Sequence, residues 1–518
     1  PATLSGVVKD GGGKPVAGAF VSAKQPDRKM TVTVVSDENG RYRLSGLFPE
    51  PYTLRAAKIG FSAATAKISL TEKGGARNLA LKSTDDVAGQ LPGNMWLAAL
   101  PEGEFKARFI AGCTICHDGG SKMVRGPRNH DEWLQVIQTM REAVDIYRVI
   151  PNFDDEELAA WLVEHKFGEK PAGIAIPDPG SDATSGVVIT EYDVGDAASW
   201  AHDMAIEPAT GAAWVGDYVN DDLIRIEPRT GAQTVYKLPV KGGGMHTLHF
   251  DRSGYLWITL QLTDMVARFD PADGSFRLYG GFQKGSLVHS FAYGEYGLIQ
   301  TGADGRIWMS EFGANAVVGL DPDTGVVTEY PLPESKGHPY GIALDSKGRI
   351  WYTKYGGNIL GMLDPDTGDV TEKQMPRPHS GPHRMDIDLD DRLWIPNSGH
   401  GTLAVYDINK DIFKEYPLPD PDTFPYAVRF DGASGTVWVD GNGANALYRF
   451  DPETEAFESY RMPASLAYGR MIALDYRTGG VWTALSSYPN KHADRNYGIM
   501  VRIEGIAAPA RADGRNQQ

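Results

Sequence analysis

The sequence predicts a multidomain, mainly β protein, with an N-terminal β-sandwich, a small all-α domain and a C-terminal seven-bladed β-propeller. Three observations support this architecture. Short strands separated by turn residues fill positions 1–82, amphipathic helical patterns occupy 88–170, and a tryptophan recurs at regular spacing within 187–505. A chain of 518 residues also exceeds what one hydrophobic core usually supports, so several domains are expected.

Composition excludes two classes of partner. Hydrophobic residues make up 42% and charged residues 23% of the chain, which is typical of globular proteins. The net charge is −16 and the chain has no basic block, so nucleic acid is not an expected partner. No stretch approaches 18 consecutive apolar residues, so no membrane-spanning helix is predicted.

The first segment has the strand and turn pattern of a small β domain. "SGVVKDGGGKPVAGAFVSA", residues 5–23, predicts two strands around a Gly-Pro turn. "VVSDENGRYRLSGLFPEPYTLRAAKIGF", residues 34–61, predicts a hairpin with Asn39 and Gly40 at its turn, followed by another strand. With G-x-V-x-D at 6–10 and D-E-N-G-R-Y at 37–42, the segment resembles the carboxypeptidase regulatory-like domain. That resemblance implies a packing or adhesion module, and no catalytic cluster occurs in it.

The second segment contains both cysteines of the chain. "NMWLAALPEGEFKARFIAGCTICHDGG", residues 94–120, predicts a helix that leads into a C-x-x-C-H motif formed by Cys113, Cys116 and His117. A disulfide framework or a zinc site needs more cysteines or ligands, whereas this motif is typical of covalent haem attachment with His117 on the iron. Residues 130–146 and 154–168 show helical periodicity. The segment resembles class I cytochrome c, which implies one covalent haem c.

The sixth haem ligand has three candidates. Met140 lies within a predicted helix that can pack over the haem, and Met123 and His130 are the alternatives. A methionine ligand raises the reduction potential, whereas a second histidine lowers it. Met140 is also explained as core filler, because methionine packs readily into irregular cores.

The third segment is built from a repeat. Tryptophan occurs at positions 214, 257, 308, 351, 394, 438 and 482, with gaps of 43, 51, 43, 43, 44 and 44 residues. Each repeat holds four short strands, which is typical of a propeller blade, so seven repeats predict seven blades. "VVITEYDVG", residues 187–195, has the pattern of an outer strand without its own blade. It is predicted to complete the last blade and close the ring.

A column of polar residues opens the innermost strands. Aligning the repeats on tryptophan places these residues in one column: His202, His246, Tyr340, His383, Tyr426 and Arg470. His338 lies two residues before Tyr340, and His289 is assigned to an extra stretch that explains the 51-residue gap. Such positions converge at one mouth of the channel. The imidazoles there suit a metal such as copper or zinc, held by His202, His246 and His383, or acid–base chemistry, or anion binding. Alternatively, they only hydrogen-bond water.

A second column lies three residues after each tryptophan. Its polar members are Asp217, Glu311, Lys354 and Asn397, and aromatic residues follow three of them at 218, 312 and 355. Asp217 or Glu311 is a candidate carboxylate base or ligand, and the aromatics are candidates to flank an organic substrate. Ordinary loop positions at the end of a strand explain the column equally well.

"PYGIALDSKGRIWYTKYGGNILGMLDPDTG", residues 339–368, carries the repeat pattern most clearly. All seven repeats resemble the virginiamycin B lyase family. The resemblance implies magnesium-assisted opening of a cyclic depsipeptide by histidines of this column and a glutamate two residues before one of them. His202, His246 and His383 match the histidine positions. The glutamate is absent where the column is clear, because those positions hold Trp200, Gly244, His338, Gly381, Phe424 and Tyr468. The fold is therefore expected to carry over better than the reaction.

These motifs together favour a periplasmic dehydrogenase. In this interpretation a small substrate is oxidised at the channel mouth, where a copper ion is expected to take part. Haem c then passes the electrons to an external acceptor such as a soluble cytochrome c or a cupredoxin. Covalent haem attachment and the start at Pro1 fit an exported chain with its signal peptide removed. Two alternatives stay open: a non-redox lyase or hydrolase with a separate cytochrome, and a propeller scaffold in which only the haem is active.

Overall fold

A computed structural model describes residues 1–114, 119–121, 124–143, 153–171, 178–196, 198–333, 337–464, 468–485 and 498–508. Cys116, His117 and Met123 of the haem prediction lie outside these residues. In the ranges above, no helix has the length and apolar character needed to cross a membrane.

The N-terminal domain consists of two packed sheets. Its strands are β1 (Ala2–Asp10), β2 (Phe20–Gln25), β3 (Met30–Val35), β4 (Arg41–Leu47), β5 (Pro51–Ala57), β6 (Phe61–Ser62), β7 (Ala64–Ser69), β8 (Gly75–Ala76) and β9 (Leu79–Ser83). One sheet has the order β4-β1-β9-β6 with β8 beside β1, and the other runs β3-β2-β5-β7. Alternating residues of both sheets, such as Leu44 and Leu54, are fully buried in the shared core.

The hairpin predicted at Asn39 and Gly40 is wrong, although the turn is present. β3 pairs with β2, whereas β4 pairs with β1 in the other sheet, so the turn crosses between sheets. Gly40 has φ +69°, and the carbonyl oxygen of Val8 lies 2.4 Å from where a Cβ would stand, so only glycine fits. The Gly-Pro turn likewise joins strands of different sheets, β1 and β2. Turn residues alone cannot distinguish a hairpin within one sheet from a connection between two sheets.

Four α-helices follow in the described part of the chain. They are α1 (Gly93–Leu97), α2 (Glu104–Cys113), α3 (His130–Ala143) and α4 (Asp155–Glu164). The single helix predicted before the cysteines is interrupted after Leu97, because Pro101 and Gly103 (φ +145°) separate α1 from α2. Asn129 and Glu132 cap α3 reciprocally, since each side chain accepts from the other's backbone N–H at 2.8 and 3.0 Å.

The remaining strands form seven four-stranded antiparallel units. Units one to three are β11 (Ala201–Ile206), β12 (Ala213–Asp217), β13 (Asp222–Ile226), β14 (Gln233–Lys237); β15 (Met245–Phe250), β16 (Leu256–Leu260), β17 (Met265–Asp270), β18 (Ser275–Tyr279); and β19 (Val288–Phe291), β20 (Ile307–Glu311), β21 (Ala316–Leu320), β22 (Val327–Pro331). Units four and five are β23 (Pro339–Leu344), β24 (Ile350–Lys354), β25 (Ile359–Leu363), β26 (Val370–Gln374); and β27 (Asp386–Ile387), β28 (Arg392–Asn397), β29 (Thr402–Asp407), β30 (Ile412–Pro417). Units six and seven are β31 (Val428–Asp431), β32 (Thr436–Gly441), β33 (Ala446–Asp451), β34 (Ala456–Arg461); and β35 (Gly469–Asp475), β36 (Gly480–Leu485), β37 (Gly498–Glu504), with β10 (Val188–Val194).

The units close into a ring. The first strands of neighbouring units contact one another all the way round, and β11 contacts both β15 and β35. β10 pairs antiparallel with β37 along its whole length and completes the seventh unit, as the sequence predicted. β10 also pairs with β3, so the seventh blade continues into the N-terminal domain as one eight-stranded sheet. This pairing covers the outer edge of the blade.

The recurring tryptophan is buried in every blade. In blade four the indole N–H of Trp351 donates to Asp345 at 2.9 Å, and the same carboxylate closes the preceding turn by accepting from the backbone of Lys347 and Arg349. Trp257 with Asp251 and Trp394 with Asp388 repeat the arrangement. In blades two, four and five the repeat therefore fixes the second strand against its own turn. The predicted boundaries 1–82, 88–170 and 187–505 stay predictions.

Candidate functional site

One residue from each blade lines the channel mouth. The seven are His202, His246, His289, Tyr340, His383, Tyr426 and Arg470, and they are called the ring below. Successive side-chain rings are in contact, with centroids 4.1, 3.9, 4.1, 4.8 and 4.2 Å apart from His202 to Tyr426. Arg470 lies 5.3 Å from the Tyr426 ring centre, and Trp200 fills the gap between Arg470 and His202. The predicted column is thus one continuous cluster.

The structure corrects the position of His289. His289 lies on β19, the innermost strand of blade three, so it is that blade's ring member and not part of an extra stretch. The extra residues follow it, between Phe291 and Ile307. His338 is outside the ring and stacks on Phe312 with ring centroids 5.1 Å apart. Alignment on tryptophan failed here because the insertion separates β19 from its own tryptophan.

Buried hydroxyls hold the ring backbone in place. Thr353 accepts from the N–H of Gly341, next to Tyr340 in its own blade, at 2.9 Å, and donates to the His383 carbonyl of the next blade at 2.6 Å. Thr259 and Ser310 make the same pair of hydrogen bonds in blades two and three. Each hydroxyl therefore connects one ring position to the next, and all lie two residues after the tryptophan.

The four ring histidines are neutral bases in a dry environment. His202, His246, His289 and His383 are 0–3% exposed, and burial is the largest influence that lowers their pKa values well below the ordinary 6.5. Nε2 of His289 and both ring nitrogens of His383 have no hydrogen-bond partner among the residues that the structure describes. Buried polar atoms without a hydrogen-bond partner are rare in protein cores, so these nitrogens are the strongest candidates for substrate contact.

Sequence reasoning missed a guanidinium beneath the ring. Arg384 is 1% exposed, pairs with Asp203 at 3.0 Å and lies 5.6 Å from the Tyr426 ring centre. Together with Arg470 it further lowers the pKa of His202 and His383, after burial. Arg384 directly follows a ring position, and no motif in the sequence indicates that its side chain turns inward.

The second column separates into structural residues and one candidate. Asp217 accepts from the backbone of Trp200 and Val219, Lys354 pairs with Glu372 at 2.8 Å, and Asn397 donates to Glu415 at 3.0 Å. Glu311 is fully buried, and neither carboxylate oxygen has a partner within hydrogen-bond distance among the described side chains. Burial raises the pKa of Glu311 to about 8. Of the predicted carboxylates, Glu311 is therefore the one able to exchange a proton.

Asp440 is a second carboxylate of this kind, which sequence reasoning missed. It lies two residues after Trp438, where blades two, three and four have the connecting hydroxyl, and Oδ1 accepts from the N–H groups of Tyr426 and Ala427 at 2.6 and 2.9 Å. Oδ2 has no partner among the described residues, and burial raises the pKa of Asp440 to about 8. When protonated, Asp440 carries an O–H group and can donate a hydrogen bond, as the hydroxyls do in blades two, three and four. In the sequence, this carboxylate could have been found from the Asp that stands at a repeat position where those blades have Thr or Ser.

The helical segment covers the ring. The Tyr355 hydroxyl donates to the carbonyl of Ala111 on α2, and the Tyr355 ring lies 4.3 Å from His383. Lys106 of α2, 2% exposed, pairs with Asp422 of the propeller at 2.7 Å. Cys113 ends α2 two residues after Ala111, and it packs against the same apolar cluster that includes Tyr340 and Tyr426. The first cysteine of the C-x-x-C-H motif therefore lies two residues along α2 from the residue that contacts Tyr355.

The two predicted cofactors are a haem and a second metal. Cys113 is half-buried at the end of α2, and Met140 lies on the same face of α3 as the buried Trp133 and Ile137. A cysteine thiol and a methionine thioether are groups that hold haem, so Cys113 and Met140 stay the candidates for it. His130, the alternative ligand, lies within 3.5 Å of acidic side chains at 131 and 156. For a second metal, no three His, Cys, Asp or Glu side chains in the described ranges are arranged to hold one.

The ring, the seven-bladed closure and the buried tryptophans define a propeller protein with a polar site at one channel mouth. The chain belongs to the virginiamycin B lyase family, whose model matches residues 189–489. The carboxypeptidase regulatory-like domain matches residues 3–82. Nothing among the curated proteins matches.

Solved structures agree on the fold. Selenomethionine-substituted virginiamycin B lyase from Staphylococcus aureus is 22% identical, with a TM-score of 0.52 over 61% of this chain and 98% of that one. A streptogramin B lyase is 21% identical with a TM-score of 0.52 over 61% and 97%. A catalytically inactive histidine-to-alanine variant of the S. aureus enzyme with quinupristin is 24% identical with a TM-score of 0.52 over 61% and 98%. At these identities the similarity shows the fold alone.

Proposed function

We propose that the protein is a periplasmic haem c oxidoreductase that oxidises a small organic substrate at the ring. The observation that carries the proposal is the contact between α2 and the ring through Tyr355. It places Cys113, the first residue of the C-x-x-C-H motif, beside the apolar cluster that includes ring tyrosines. A dehydrogenase needs its electron acceptor close to its substrate, and this contact supports such an arrangement.

The side chains at the ring suit the removal of protons. Oxidation of an alcohol to a carbonyl breaks the O–H and C–H bonds and releases two protons and two electrons. Neutral His289 and His383 offer ring nitrogens that accept the proton of the substrate hydroxyl, and Glu311, on β20 of the same blade as His289, has a pKa raised to about 8. Arg384 and Arg470 favour an oxygen that gains negative charge as it loses its proton.

A haem held by Cys113, Cys116 and His117, with Met140 proposed as sixth ligand, would supply a one-electron acceptor. The two electrons of the oxidation would then have to pass one at a time to an external acceptor, for which a soluble cytochrome c or a cupredoxin is suitable. Copper at His202, His246 and His383 stays a prediction that elemental analysis checks, and no step above depends on it.

Anaerobic mixing of the oxidised holoprotein with a panel of primary alcohols and aldehydes tests the proposal, with haem absorbance as the readout. We expect at least one compound to reduce the haem, and the double variant His289→Gln/His383→Gln to lose this reduction while dithionite still reduces it fully. His400→Gln, a histidine outside the ring, is the matched control. Equal rates of substrate-driven reduction in the ring variant and the wild type would remove the ring from the reaction.

Family membership favours one second candidate, a lyase that does not use the haem. Its elimination chemistry needs a base, and Glu311 or a ring imidazole provides one without electron transfer. Cys113→Ala distinguishes the two. A lyase keeps turnover of a cyclic depsipeptide such as quinupristin in this variant, whereas the oxidoreductase loses substrate oxidation.

A further inference from the structure

A cavity lies between the N-terminal domain, the segment before α1 and the sixth blade, away from the ring. Its volume is about 320 Å³, which matches the lower end of the range for small-molecule pockets, about 300–1,000 Å³. Phe20, Ile59 and Phe61 form the wall on the N-terminal domain. Pro92 from the α1 side and Met462 from the sixth blade close it. The cavity therefore exists only because three parts of the chain meet there.

Its polar lining has one sign of charge. Arg55, Lys58 and Arg461 line the cavity, and no carboxylate does so among the described residues, although the chain as a whole carries a net charge of −16. Lys58 pairs with Asp178 at 3.2 Å, and Arg461 pairs with Asp420 at 3.1 Å. Arg55 is exposed and forms no ion pair with any residue in the described ranges. An uncompensated cation beside an apolar cavity attracts an anion with an apolar body.

We propose that this cavity binds a small amphipathic carboxylate, with the carboxylate at Arg55 and the apolar body between Phe20, Phe61 and Met462. The proposal gives the N-terminal domain a ligand-binding role that is independent of ring chemistry. Gln90 fixes part of the apolar wall, because its side chain accepts from the Gly60 N–H at 3.0 Å and donates to the Phe61 carbonyl at 3.1 Å.

Titration calorimetry of the full-length protein with octanoate, octanol and octylammonium tests the proposal, because these probes share a chain length and differ in charge. We expect saturable binding of octanoate at least tenfold tighter than of octanol, and no binding of octylammonium. Arg55→Glu is expected to weaken octanoate binding at least tenfold. Ala63→Trp places a large side chain at an exposed position of the lining and is expected to block all three probes.

Arg43→Glu is the matched control, since Arg43 is exposed in the same domain and is not part of this cavity. It must leave octanoate binding within twofold of the wild type. Absence of saturable binding, equal affinity for the charged and neutral probes, or binding unaffected by both Arg55→Glu and Ala63→Trp would overturn the proposal. None of these outcomes bears on substrate oxidation at the ring.

Discussion

The ring shows how burial changes the chemistry of ordinary side chains. Imidazoles that titrate near neutral pH in water stay uncharged here, because charging them in a dry channel near Arg384 and Arg470 is unfavourable. Burial acts on Glu311 in the opposite sense and keeps its proton on up to about pH 8. The ring therefore holds neutral bases, and the blade that carries His289 also carries a buried carboxylate whose protonation changes near physiological pH.

Glu311→Gln tests this assignment. With a pKa of about 8, the carboxylate is mostly protonated at pH 7, so substrate oxidation is expected to rise as pH increases through 8. The glutamine variant is expected to lose that rise and to be slower by about 10²-fold or more, the lower range for general-base catalysis. Stopped-flow haem reduction between pH 6 and about 9 measures both effects. An unchanged pH profile would assign the proton transfer to another group.

Asp440→Asn tests the second buried carboxylate through stability. Its pKa is near 4 when unfolded and about 8 when folded, so the folded state binds the extra proton and the wild type loses stability as pH rises from 4 to 8. The asparagine variant keeps a donor and does not titrate. It is expected to be more stable than the wild type at pH 8, by on the order of 1 kcal/mol or more, with the difference shrinking toward pH 4.

Urea unfolding at several pH values measures this difference. Asp366→Asn, an exposed carboxylate in a blade turn, is the control and is expected to show no such trend. A stability difference that stays constant with pH would contradict the protonated state of Asp440.

At the scale of elements, the periodicity of the sequence correctly predicted those strands and helices whose formation depends on contacts within one repeat or one helix. The seven tryptophan repeats, the closing strand β10 and helices α3 and α4 follow from patterns that each element carries itself. The partners of β3 and β4 and the position of His289 depend on residues far away in the chain, so the sequence predicted them wrongly. The inward orientation of Arg384 and the covering of the ring by α2 could not be read from any repeat.

Thr353→Val tests the hydroxyl connections between blades. The change keeps the shape of the side chain and removes both hydrogen bonds, which leaves the His383 carbonyl and the Gly341 N–H buried without partners. A loss of about 1–3 kcal/mol in unfolding free energy is expected. Thr371→Val, an exposed strand threonine, serves as the control and is expected to change stability by less than about 0.5 kcal/mol. Equal effects of the two changes would mean that the connection contributes nothing.

At the scale of the whole molecule, the helical segment closes the site. The ring histidines are almost completely buried while α2 rests on the mouth, and the buried Lys106–Asp422 pair fastens α2 to the propeller. The pairing of β3 with β10 fastens the N-terminal domain to the seventh blade. The three parts of the chain are thus joined by specific contacts, which the proposed transfer of electrons from the ring to a haem would require.

Lys106→Met tests the closure. Removing one partner leaves Asp422 buried and unpaired, which typically costs about 3–5 kcal/mol and favours release of α2. Diethyl pyrocarbonate labelling with mass spectrometry is expected to modify His289 and His383 at least tenfold faster in the variant than in the wild type. Lys67→Met, an exposed lysine, is the control and should leave labelling unchanged. Rapid labelling of both histidines in the wild type would show that α2 does not cover the ring.

The most direct test of the central claim is the intact mass and visible spectrum of the protein after export in a host with cytochrome c maturation. The account predicts one covalently attached haem per chain and the loss of that haem in the variant Cys113→Ala. A chain at its polypeptide mass with two free thiols would contradict the account. The C-x-x-C-H motif would then have no haem, and the contact between α2 and the ring would serve only to close the site.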